Sequence, residues 1–592
     1  MTLAKSIIYI LVIGTLEQCL SEEDNSYKWP TVGISVLVRN KAHTLPFFLG
    51  CLNNLDYPKD RIYIWITSDY NEDNSIEIIE DWASQHALDY NTVIINANSS
   101  LDHLTENRIT PIQWSESHFK HIIHLREEAL SFARKMWADF LLMIDADAFI
   151  VESSTLKDLV QQDLPVAAPL LISDGLYSNY WCAMTEDLYY KRTEDYRPIL
   201  DREKTGCFEV PMVNTAVLIS LKRTKSDLLT YDPKNVQDYK GPKDDIITFA
   251  VNAKMKGNYI PLFICNEKLY GFVTIPLQEE DDPMKDFEQL LNVKMEAISR
   301  GTPLPLSWNL KKYVTYPEPS KYGCNEIYMI NLERRTERRN LMELSFKELG
   351  MEVTTVFAVD GKKLDLDNLH HQGIRLMPNY EDPYHKRPMK AGEIGCFLSH
   401  YKIWKDVSIV EKKHDVALIL EDDIKFVPYF RQKFKLLLTE MKEINWELMY
   451  LGRKILLDSE EEMFGSYVSR PLYSYWTLGY MLTANGAQKL IDSRPLENML
   501  PVDEFLPIMF NEHPNDTWKS YYKNRDLQAY SAAPLLIHPT HYTGQPGYIS
   551  DTEDSTIIQH HTSSAKLKID GSLCNIRAKV QNHNFTEEAP KV

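Results

Sequence analysis

The chain has 592 residues, which is too long for one ordinary hydrophobic core and predicts two domains. Its 44% hydrophobic and 25% charged residues are typical of a soluble globular protein. The formal net charge of −19 argues against a nucleic-acid partner, although it would suit a basic polypeptide partner.

The first 21 residues have the pattern of a removed secretory signal peptide. Lys5 gives a basic start, "SIIYILVIGTL" is apolar but too short to span a bilayer comfortably, and "CLS" supplies small residues suited to cleavage. No later apolar run is long enough to span a membrane, so we expect no transmembrane segment and a lumenal or secreted chain. Three N-glycosylation triplets fit that compartment, at Asn98, Asn515 and Asn584.

The eight cysteines are widely spaced along the chain. Cys19 leaves with the signal, and the odd number that remains means at least one free thiol or intermolecular bridge. No Cys-x-x-Cys pair occurs, so we assign no structural metal to the cysteines, and their pairing cannot be read from the sequence.

In the first quarter of the chain, short apolar runs alternate with amphipathic stretches. The runs "VGISVLV", "IYIWIT", "TVIINA" and "DFLLMID" are predicted strands, and Leu125, Ala129 and Ala133 share one face of a predicted helix. Strands alternating with helices predict a mostly parallel sheet covered by helices. The pattern fades near residue 275, so we place an N-terminal α/β domain at 28–277.

The passage 278–321 is charged and proline-rich, and we interpret it as a linker with one helix around 284–299. A second α/β series follows over 322–558, with strands predicted at "EIYMINL", "VTTVFAV" and "DVALIL". Residues 559–592 are polar and irregular, and we expect a mobile tail there.

In each half, a buried strand runs directly into carboxylates. Asp145 and Asp147 follow one strand, and Glu421 and Asp423 follow another, with Asp422 between them expected to pair locally. Ligands bind beyond the carboxyl ends of strands in an open α/β sheet, and two acids one residue apart can face one hard cation. Such a cation can hold a diphosphate, which suits nucleotide-sugar transfer. The alternative is that each Asp-x-Asp pattern arose by chance at a turn or helix start.

Longer motifs resemble glycosyltransferase family 25, and in particular its procollagen galactosyltransferases. The second half carries "INLERRTERR", "KAGEIGCFLSHYKIWKDV", "LILEDDIKF", "YSYWTLGYMLT", "LPVDEFLPIMF" and "PTHYTGQPGYISDTEDS", and the first carries "LVRNKAHTLPFFLGCL", "DADAF" and "VPMVNTAVLI". The resemblance implies two GT-A-like (Rossmann-type) α/β glycosyltransferase domains in tandem. It also implies Mn²⁺, UDP-galactose as donor, hydroxylysine of collagen or procollagen chains as acceptor, and residence in the endoplasmic reticulum lumen.

By analogy with such enzymes, Glu421 and Asp423 would face the metal in the second domain, and Asp145 and Asp147 in the first. His541 in "PTHYTG" is a further candidate ligand for metal or phosphate. A hydrogen-bonded loop histidine is the alternative at that position.

Four arginines follow the first strand of the second domain, where guanidinium groups could clamp nucleotide phosphates. At least two of them are expected to be only solvated residues of a helix start. The four are Arg334, Arg335, Arg338 and Arg339.

Inverting transfer needs a base that takes the proton of the acceptor hydroxyl. Asp503 or Glu504 is the candidate in the second domain, because apolar neighbours raise a carboxylate pKa. Asp244 or Asp245 is the counterpart in the first domain. Stabilising a helix N-terminus is the alternative for each of the four.

We favour the second domain as the galactosyltransferase, because it contains the arginine loop, the acid triplet and "PVDEF" in one unit. The first domain would then perform another transfer, bind the acceptor or serve as a scaffold. The rival function is a non-catalytic adhesion or interaction protein. The sequence ends in "EEAPKV", which does not match a receptor-read retention signal. The sequence leaves open whether the protein forms a homo-oligomer.

Overall fold

The protein is described by a computed structural model, which covers most of the chain. Its described residues are 28–98, 116–255, 257, 259–277, 281–282, 284–365, 368–409, 415–456, 461–545, 547–552 and 554–556. The predicted signal peptide 1–21, the predicted tail 559–592 and Asn584 lie outside these residues.

The first half alternates strands and helices, as the apolar runs predict. The strands are β1 Val32–Val38, β2 Ile62–Asp69, β3 Thr92–Asn98, β4 Phe140–Asp145, β5 Ala148–Ile150, β6 Val166–Pro169, β7 Leu171–Ile172, β8 Tyr180–Trp181, β9 Ala183–Met184, β10 Tyr190–Lys191, β11 Cys207–Val210, β12 Met212–Val213, β13 Ala216–Ser220, β14 Leu262–Cys265 and β15 Gly271–Val273. The helices are α1 Leu45–Asn53, α2 Ser75–His86, α3 Glu116–Lys135, α4 Thr155–Gln161, α5 Tyr196–Leu200, α6 Asp245–Ala253 and α7 Met284–Ser299.

An eight-stranded sheet forms the centre of this half, in the order β11-β14-β6-β13-β4-β1-β2-β3. Strands β3, β2, β1 and β4 run parallel, and β13 is antiparallel to both β4 and β6. The central strands are apolar throughout because both faces of the sheet are covered, and β1 is buried at six of its seven residues. This arrangement sets the carboxyl end of β4 beside the antiparallel strand.

The second half repeats the pattern with fewer strands. The strands are β16 Glu326–Asn331, β17 Thr354–Phe357, β18 Val416–Leu420, β19 Ile424–Phe426, β20 Leu448–Ile455, β21 Val468–Ser469, β22 Ser474–Thr483, β23 Ala529–Ala532 and β24 Ile537–Pro539. The helices are α8 Thr336–Leu349, α9 Ala391–Val407, α10 Phe430–Glu440, α11 Ala484–Asp492, α12 Val502–Met509 and α13 Asp516–Lys519.

Its central sheet has seven strands in the order β17-β16-β18-β22-β20-β23-β21. Strands β17, β16 and β18 run parallel, and β22 is antiparallel to β18. The second acid-closed strand therefore has the same neighbours as the first, a parallel strand on one side and an antiparallel strand on the other. The predicted tandem α/β fold is confirmed.

The helix α7, inside the predicted linker, packs against both halves. Leu290, Val293 and Ala297 belong to the core of the first half. Leu291 and Met295, on an adjacent face, pack against a core of the second half. The linker is therefore a structural joint between the two domains.

Polar contacts reinforce this joint. Asn292 of α7 donates through Nδ2 to Asp174 of the first half at 2.7 Å. Its Oδ1 accepts the backbone N–H of Tyr429 of the second half at 2.9 Å. Lys294 forms an ion pair with Glu348 of α8. One helix therefore holds both domains by side chains on neighbouring turns.

Cys207 and Cys265 form a disulfide between the edge strand β11 and its neighbour β14. Asn515, one of the glycosylation candidates, accepts the backbone N–H of Trp518 at 3.1 Å and so caps α13. Asn98 ends β3. None of the helices that the structure describes is long and apolar enough to cross a membrane.

Candidate active site

The strand β18 ends where its buried apolar run meets Glu421, Asp422 and Asp423. The Glu421 backbone N–H donates to the carbonyl of Leu478 on β22 at 3.0 Å. The Asp423 carbonyl accepts the backbone N–H of Thr540 at 2.8 Å. Main-chain bonds on both sides therefore hold the acidic turn rigidly at the carboxyl end of the sheet.

The three carboxylates share few donors. Thr477 Oγ1 donates to Glu421 Oε1 at 2.7 Å. Asn331 Nδ2 donates to Asp422 Oδ2 at 2.7 Å. Asp422 is thus paired with Asn331 of β16, and its separation from a metal ligand role stays a prediction.

Arg338 is the cation of this cluster. Its Nη1 lies 3.2 Å from Asp422 Oδ1 and 3.2 Å from Asp423 Oδ2. Burial raises the pKa of Glu421 to about 7, and burial with the charge of Glu421 raises the pKa of Asp423 to about 6. One guanidinium facing three carboxylates leaves a surplus of negative charge, which fits a hard divalent cation with oxygen ligands.

A cleft opens in front of this cluster. A cavity of about 150 Å³ is lined by the loops after β16 and β17, by α9 and by the acidic turn, including Arg334, Asp360, His400, Glu421 and Asp423. A neighbouring cavity of about 220 Å³ lies between the acidic turn and the end of α7. The cleft therefore lies beyond the carboxyl ends of parallel strands, where nucleotides bind in α/β folds.

The first two arginines contact the segment that borders this cleft. Arg335 makes a bidentate pair with Asp551, with both N–O distances 2.8 Å. Arg334 Nη1 lies 2.8 Å from Asp551 and its Nε 3.2 Å from Asp360. Burial alone would raise the pKa of Asp551, but hydrogen bonds from Arg335 and Arg334 lower it below its usual range.

Arg339 Nη1 donates to Asn331 Oδ1 at 2.8 Å and its guanidinium lies over the ring of Phe357. All four arginines are thus held by protein groups. Arg334 and Arg335 pair with Asp551, which lies more than 200 positions away in the chain, so their contact could not be read from the sequence.

Asp503 and Glu504 lie at the start of α12 but face different surroundings. Asp503 Oδ2 accepts the backbone N–H of Trp476 at 3.1 Å, and Trp476 adopts a left-handed backbone with φ +65°. Burial and then the charge of Glu421 raise the pKa of Asp503 to about 7. Backbone strain and a raised carboxylate pKa both occur at functional sites.

Glu504, by contrast, is only 2% exposed. Its Oε2 accepts from the Tyr473 hydroxyl at 2.7 Å and lies 2.8 Å from His513 Nε2. Because this carboxylate is sealed among its own partners, Asp503 is the better candidate base of the two.

His541 lines the larger cavity together with Asp422 and Asp423. Its Nδ1 lies 3.3 Å from Thr540 Oγ1. Thr540 is bonded to the acidic turn, so the histidine is close enough to reach a ligand there. The contact also agrees with a hydrogen-bonded loop histidine.

The acids of the first domain are differently surrounded. Arg126 Nη2 lies 2.9 Å from Asp145, and Lys41 Nζ lies 3.0 Å from Asp147. Lys41 also lies 2.9 Å from Asp286 of α7. Burial opposes a charged lysine, but the two aspartates raise the pKa of Lys41 above its usual value. Each acid of this pair therefore contacts a cation that also pairs with a second aspartate, Asp245 for Arg126 and Asp286 for Lys41.

The two base candidates of the first domain have structural partners. Asp244 caps α6, accepting the Ile247 N–H at 2.7 Å. Asp245, 4% exposed, lies 3.2 Å from Arg126 Nε. Burial and then the charge of Asp245 raise the pKa of Asp244 to about 6.

Sequence reasoning missed one cluster beside the acidic turn. Cys396, His400 and Glu421 bring Sγ, a ring nitrogen and a carboxylate oxygen within 4.8 Å of one another. The signal was available, because Cys-x-x-x-His puts both side chains on one face of a helix.

The chain thus consists of two α/β halves, each with a buried strand that ends in carboxylates. Residues 29–294 match the model described as "Glycosyltransferase family 25, N-terminal domain", and residues 324–506 match "Glycosyltransferase family 25 (LPS biosynthesis protein)". The chain belongs to glycosyltransferase family 25.

Relatives share most of the chain. A "Glycosyltransferase 25 family member" of Anopheles gambiae is 49% identical over 91% of this chain and 91% of its own length. "Procollagen galactosyltransferase 2" of Homo sapiens is 45% identical over 90% of this chain and 85% of its own length. "Procollagen galactosyltransferase 1-B" of Xenopus laevis is 40% identical over 93% and 90%.

Solved structures are less similar. S. aureus TarS in complex with UDP-GlcNAc is 14% identical, with a TM-score of 0.27, over 58% of this chain and 80% of that chain. A likeness this weak carries no argument about the site.

Proposed function

We propose that this protein transfers galactose from UDP-galactose to hydroxylysine residues of collagen or procollagen chains, in a metal-dependent reaction. Relatives named procollagen galactosyltransferase, similar over nine tenths of the chain, support the donor sugar and the acceptor. The acidic turn in front of a cleft supports the metal and the nucleotide.

The second domain would be the galactosyltransferase. The observation that carries this assignment is the cleft in front of the second acid cluster. Two neighbouring cavities, of about 150 and 220 Å³, are lined by residues of that acidic turn. Arg338 lies 3.2 Å from both Asp422 and Asp423 in the turn. An acidic turn that opens onto such a cleft has room for a metal ion and a nucleotide.

A divalent cation such as Mn²⁺, held by Glu421 and Asp423, would take up charge on the departing diphosphate. Arg338, beside the same carboxylates, would bind a phosphate oxygen. Arg334, Arg335 and His541 are further candidates for contact with the nucleotide. The divalent cation and the arginines would thus surround the diphosphate with positive charge, although the cleft itself is lined by carboxylates.

The reaction we propose is a single displacement with inversion at the anomeric carbon. Asp503 takes the proton of the acceptor hydroxyl as its oxygen attacks that carbon. The bond between the anomeric carbon and the diphosphate oxygen breaks, and UDP leaves with the electron pair. The Trp476 N–H fixes the Asp503 carboxylate for this role.

We place the reaction in the lumen of the endoplasmic reticulum. The disulfide between Cys207 and Cys265 supports an oxidising compartment. Immunolocalisation with a lumenal marker tests this placement, and bulk secretion into the medium would contradict it.

The function is tested by UDP release from UDP-galactose with Mn²⁺ and a hydroxylysine-containing collagen peptide. We expect turnover that depends on both the peptide and the metal, and that is lost in Glu421→Ala/Asp423→Ala. The matched pair Asp145→Ala/Asp147→Ala should keep turnover per folded molecule. Loss of turnover only in the first-domain pair would move the chemistry there, and a folded wild type without turnover on any UDP-sugar would refute the proposal.

A further inference from the structure

Cys396 and His400 are one helical turn apart on α9, so both side chains point the same way toward the acidic turn. The third member, Glu421, comes from the end of β18. The three donor atoms lie within 4.8 Å of one another, although their residues come from two different elements. A thiol, an imidazole and a carboxylate are the donor types that Zn²⁺ takes in proteins.

The histidine is the second, independent observation. His400 is 1% exposed, and its Nε2 is buried with no hydrogen-bond partner among the described residues. This nitrogen lies 3.5 Å from Glu421 Oε1, outside hydrogen-bond geometry. A buried polar atom without a partner costs free energy, and such atoms are rare in folded proteins.

The other ring nitrogen of His400 is already held. Nδ1 lies 2.9 Å from the Tyr480 hydroxyl, and that hydroxyl also accepts from Trp404 Nε1 at 2.8 Å. With its proton on Nδ1, the ring presents a lone pair at Nε2, on the side of Cys396 and Glu421. A hydrogen bond that fixes the ring in this way is the usual support of a metal-binding histidine.

The carboxylate is oriented as well. Thr477 Oγ1 donates to Glu421 Oε1 at 2.7 Å, so this side chain has a fixed position before any ion arrives. Three donors converge, and the Thr477 and Tyr480 hydroxyls hold two of them. With zinc bonds of roughly 2.0–2.3 Å, tetrahedral ligand atoms lie about 3.3–3.8 Å apart, so donor atoms within 4.8 Å of one another have to approach by at most about 1.5 Å.

We propose that Cys396, His400 and Glu421 form a site for a thiophilic divalent cation such as Zn²⁺, separate from the Mn²⁺ position of the proposed function. The ion bonds to Cys396 Sγ, His400 Nε2 and a Glu421 oxygen, and the thiol proton is released to solvent. A fourth position stays open toward the cleft, as in sites that bind water or substrate.

The shared glutamate gives the site a consequence. Glu421 is also a proposed ligand of the catalytic cation, together with Asp423. When the Glu421 carboxylate binds an ion held by Cys396 and His400, it no longer binds the catalytic cation beside Asp423. A bound thiophilic ion therefore opposes transfer. This consequence depends on the proposed function, whereas the binding site itself does not.

Co²⁺ tests the site, because a cobalt–thiolate bond gives a charge-transfer band in the near ultraviolet that oxygen and nitrogen ligands do not give. The full, untagged chain is reduced, freed of metal and titrated with Co²⁺, and the absorption spectrum is recorded. We expect a band that saturates at one equivalent and disappears when Zn²⁺ is added.

The variants assign the band. Cys396→Ser should abolish it, and the matched control Cys182→Ser, at a partly buried thiol of the first half, should keep it. His400→Gln should weaken Co²⁺ binding more than about tenfold, since even loss of a group that orients a metal ligand has an effect of that size. Near-ultraviolet circular dichroism confirms that each variant is folded.

No band in the folded wild type, or a band that survives in folded Cys396→Ser, would overturn the site. Neither result depends on galactose transfer. A chain that binds Co²⁺ as expected but releases no UDP from any UDP-sugar would keep the site and refute the proposed function instead. If Zn²⁺ inhibits turnover of the wild type but not of Cys396→Ser, this would support the inference that both ions use Glu421.

Discussion

Replacing Arg126 with methionine should destabilise the first domain strongly. Arg126, 9% exposed, lies 2.9 Å from Asp145 and 3.2 Å from Asp245. Without the guanidinium, the buried Asp245 and the partly exposed Asp145 lose the cation that lies between them. Because methionine keeps much of the side-chain volume, the change tests the charge more than the packing.

The magnitude follows from burial. Removing one partner of a buried ion pair costs about 3–5 kcal/mol, and these two carboxylates depend on one cation. For a domain of this size about 1 kcal/mol lowers the melting temperature by roughly 2–4 °C, so a fall of about 6–20 °C is expected. Differential scanning calorimetry measures it directly.

Lys135→Met is the matched control, because it removes an exposed cation from the same helix. Its effect should stay within about 0.5 kcal/mol. Adding Asp145→Asn and Asp245→Asn to Arg126→Met should restore part of the stability. Below its melting temperature, Arg126→Met should release UDP from UDP-galactose at nearly the wild-type rate. An Arg126→Met protein as stable as Lys135→Met, or one that is folded but inactive, would refute a purely structural role for this cluster.

Three further results are expected. Asp503→Asn should lower UDP release by about 10²–10⁴-fold with little change in melting temperature, and unchanged turnover would exclude Asp503 as the base. Burial and the charge of Glu421 raise the pKa of Asp503 to about 7, and a general base acts in its deprotonated form. The value of kcat/KM should therefore rise as the pH increases through about 7 and then become constant. A flat pH profile from about pH 6 to 8 would contradict this assignment. Gly50→Ala should cost about 1–3 kcal/mol in thermal unfolding, because its Cβ would lie 2.5 Å from the Pro305 carbonyl oxygen, whereas Gly175→Ala, with room around it, should be neutral.

Local patterns predicted the elements well. The run "VGISVLV" is β1 residue for residue, and the helix around 284–299 is α7. Apolar runs and helical faces are local properties, because they follow from which side of an element is buried. The acidic turns were found for the same reason, since a carboxylate at the end of an apolar run is visible within ten residues.

What the sequence could not give is which distant group meets each acid. Lys41 and Asp147 are 106 positions apart, and Arg335 and Asp551 are 216 apart. No periodicity connects such positions, because their contact depends on how the sheet brings loop ends together. The disulfide between Cys207 and Cys265 could not be read from the sequence for the same reason, since it joins two strands that are adjacent only in the folded sheet.

The shared helix α7 also affects how the protein is made. While the ribosome is still adding the second half, the first core is complete, but Leu291 and Met295 have nothing to cover them. The partner of Asn292, Tyr429, comes 130 residues after Ser299, which is roughly 7 to 26 seconds of synthesis. A nascent chain paused soon after Ser299 carries exposed apolar side chains on α7. Holding chaperones should therefore be needed most during this interval, and a ribosome-bound chain ending between α7 and α10 should be the one that captures them.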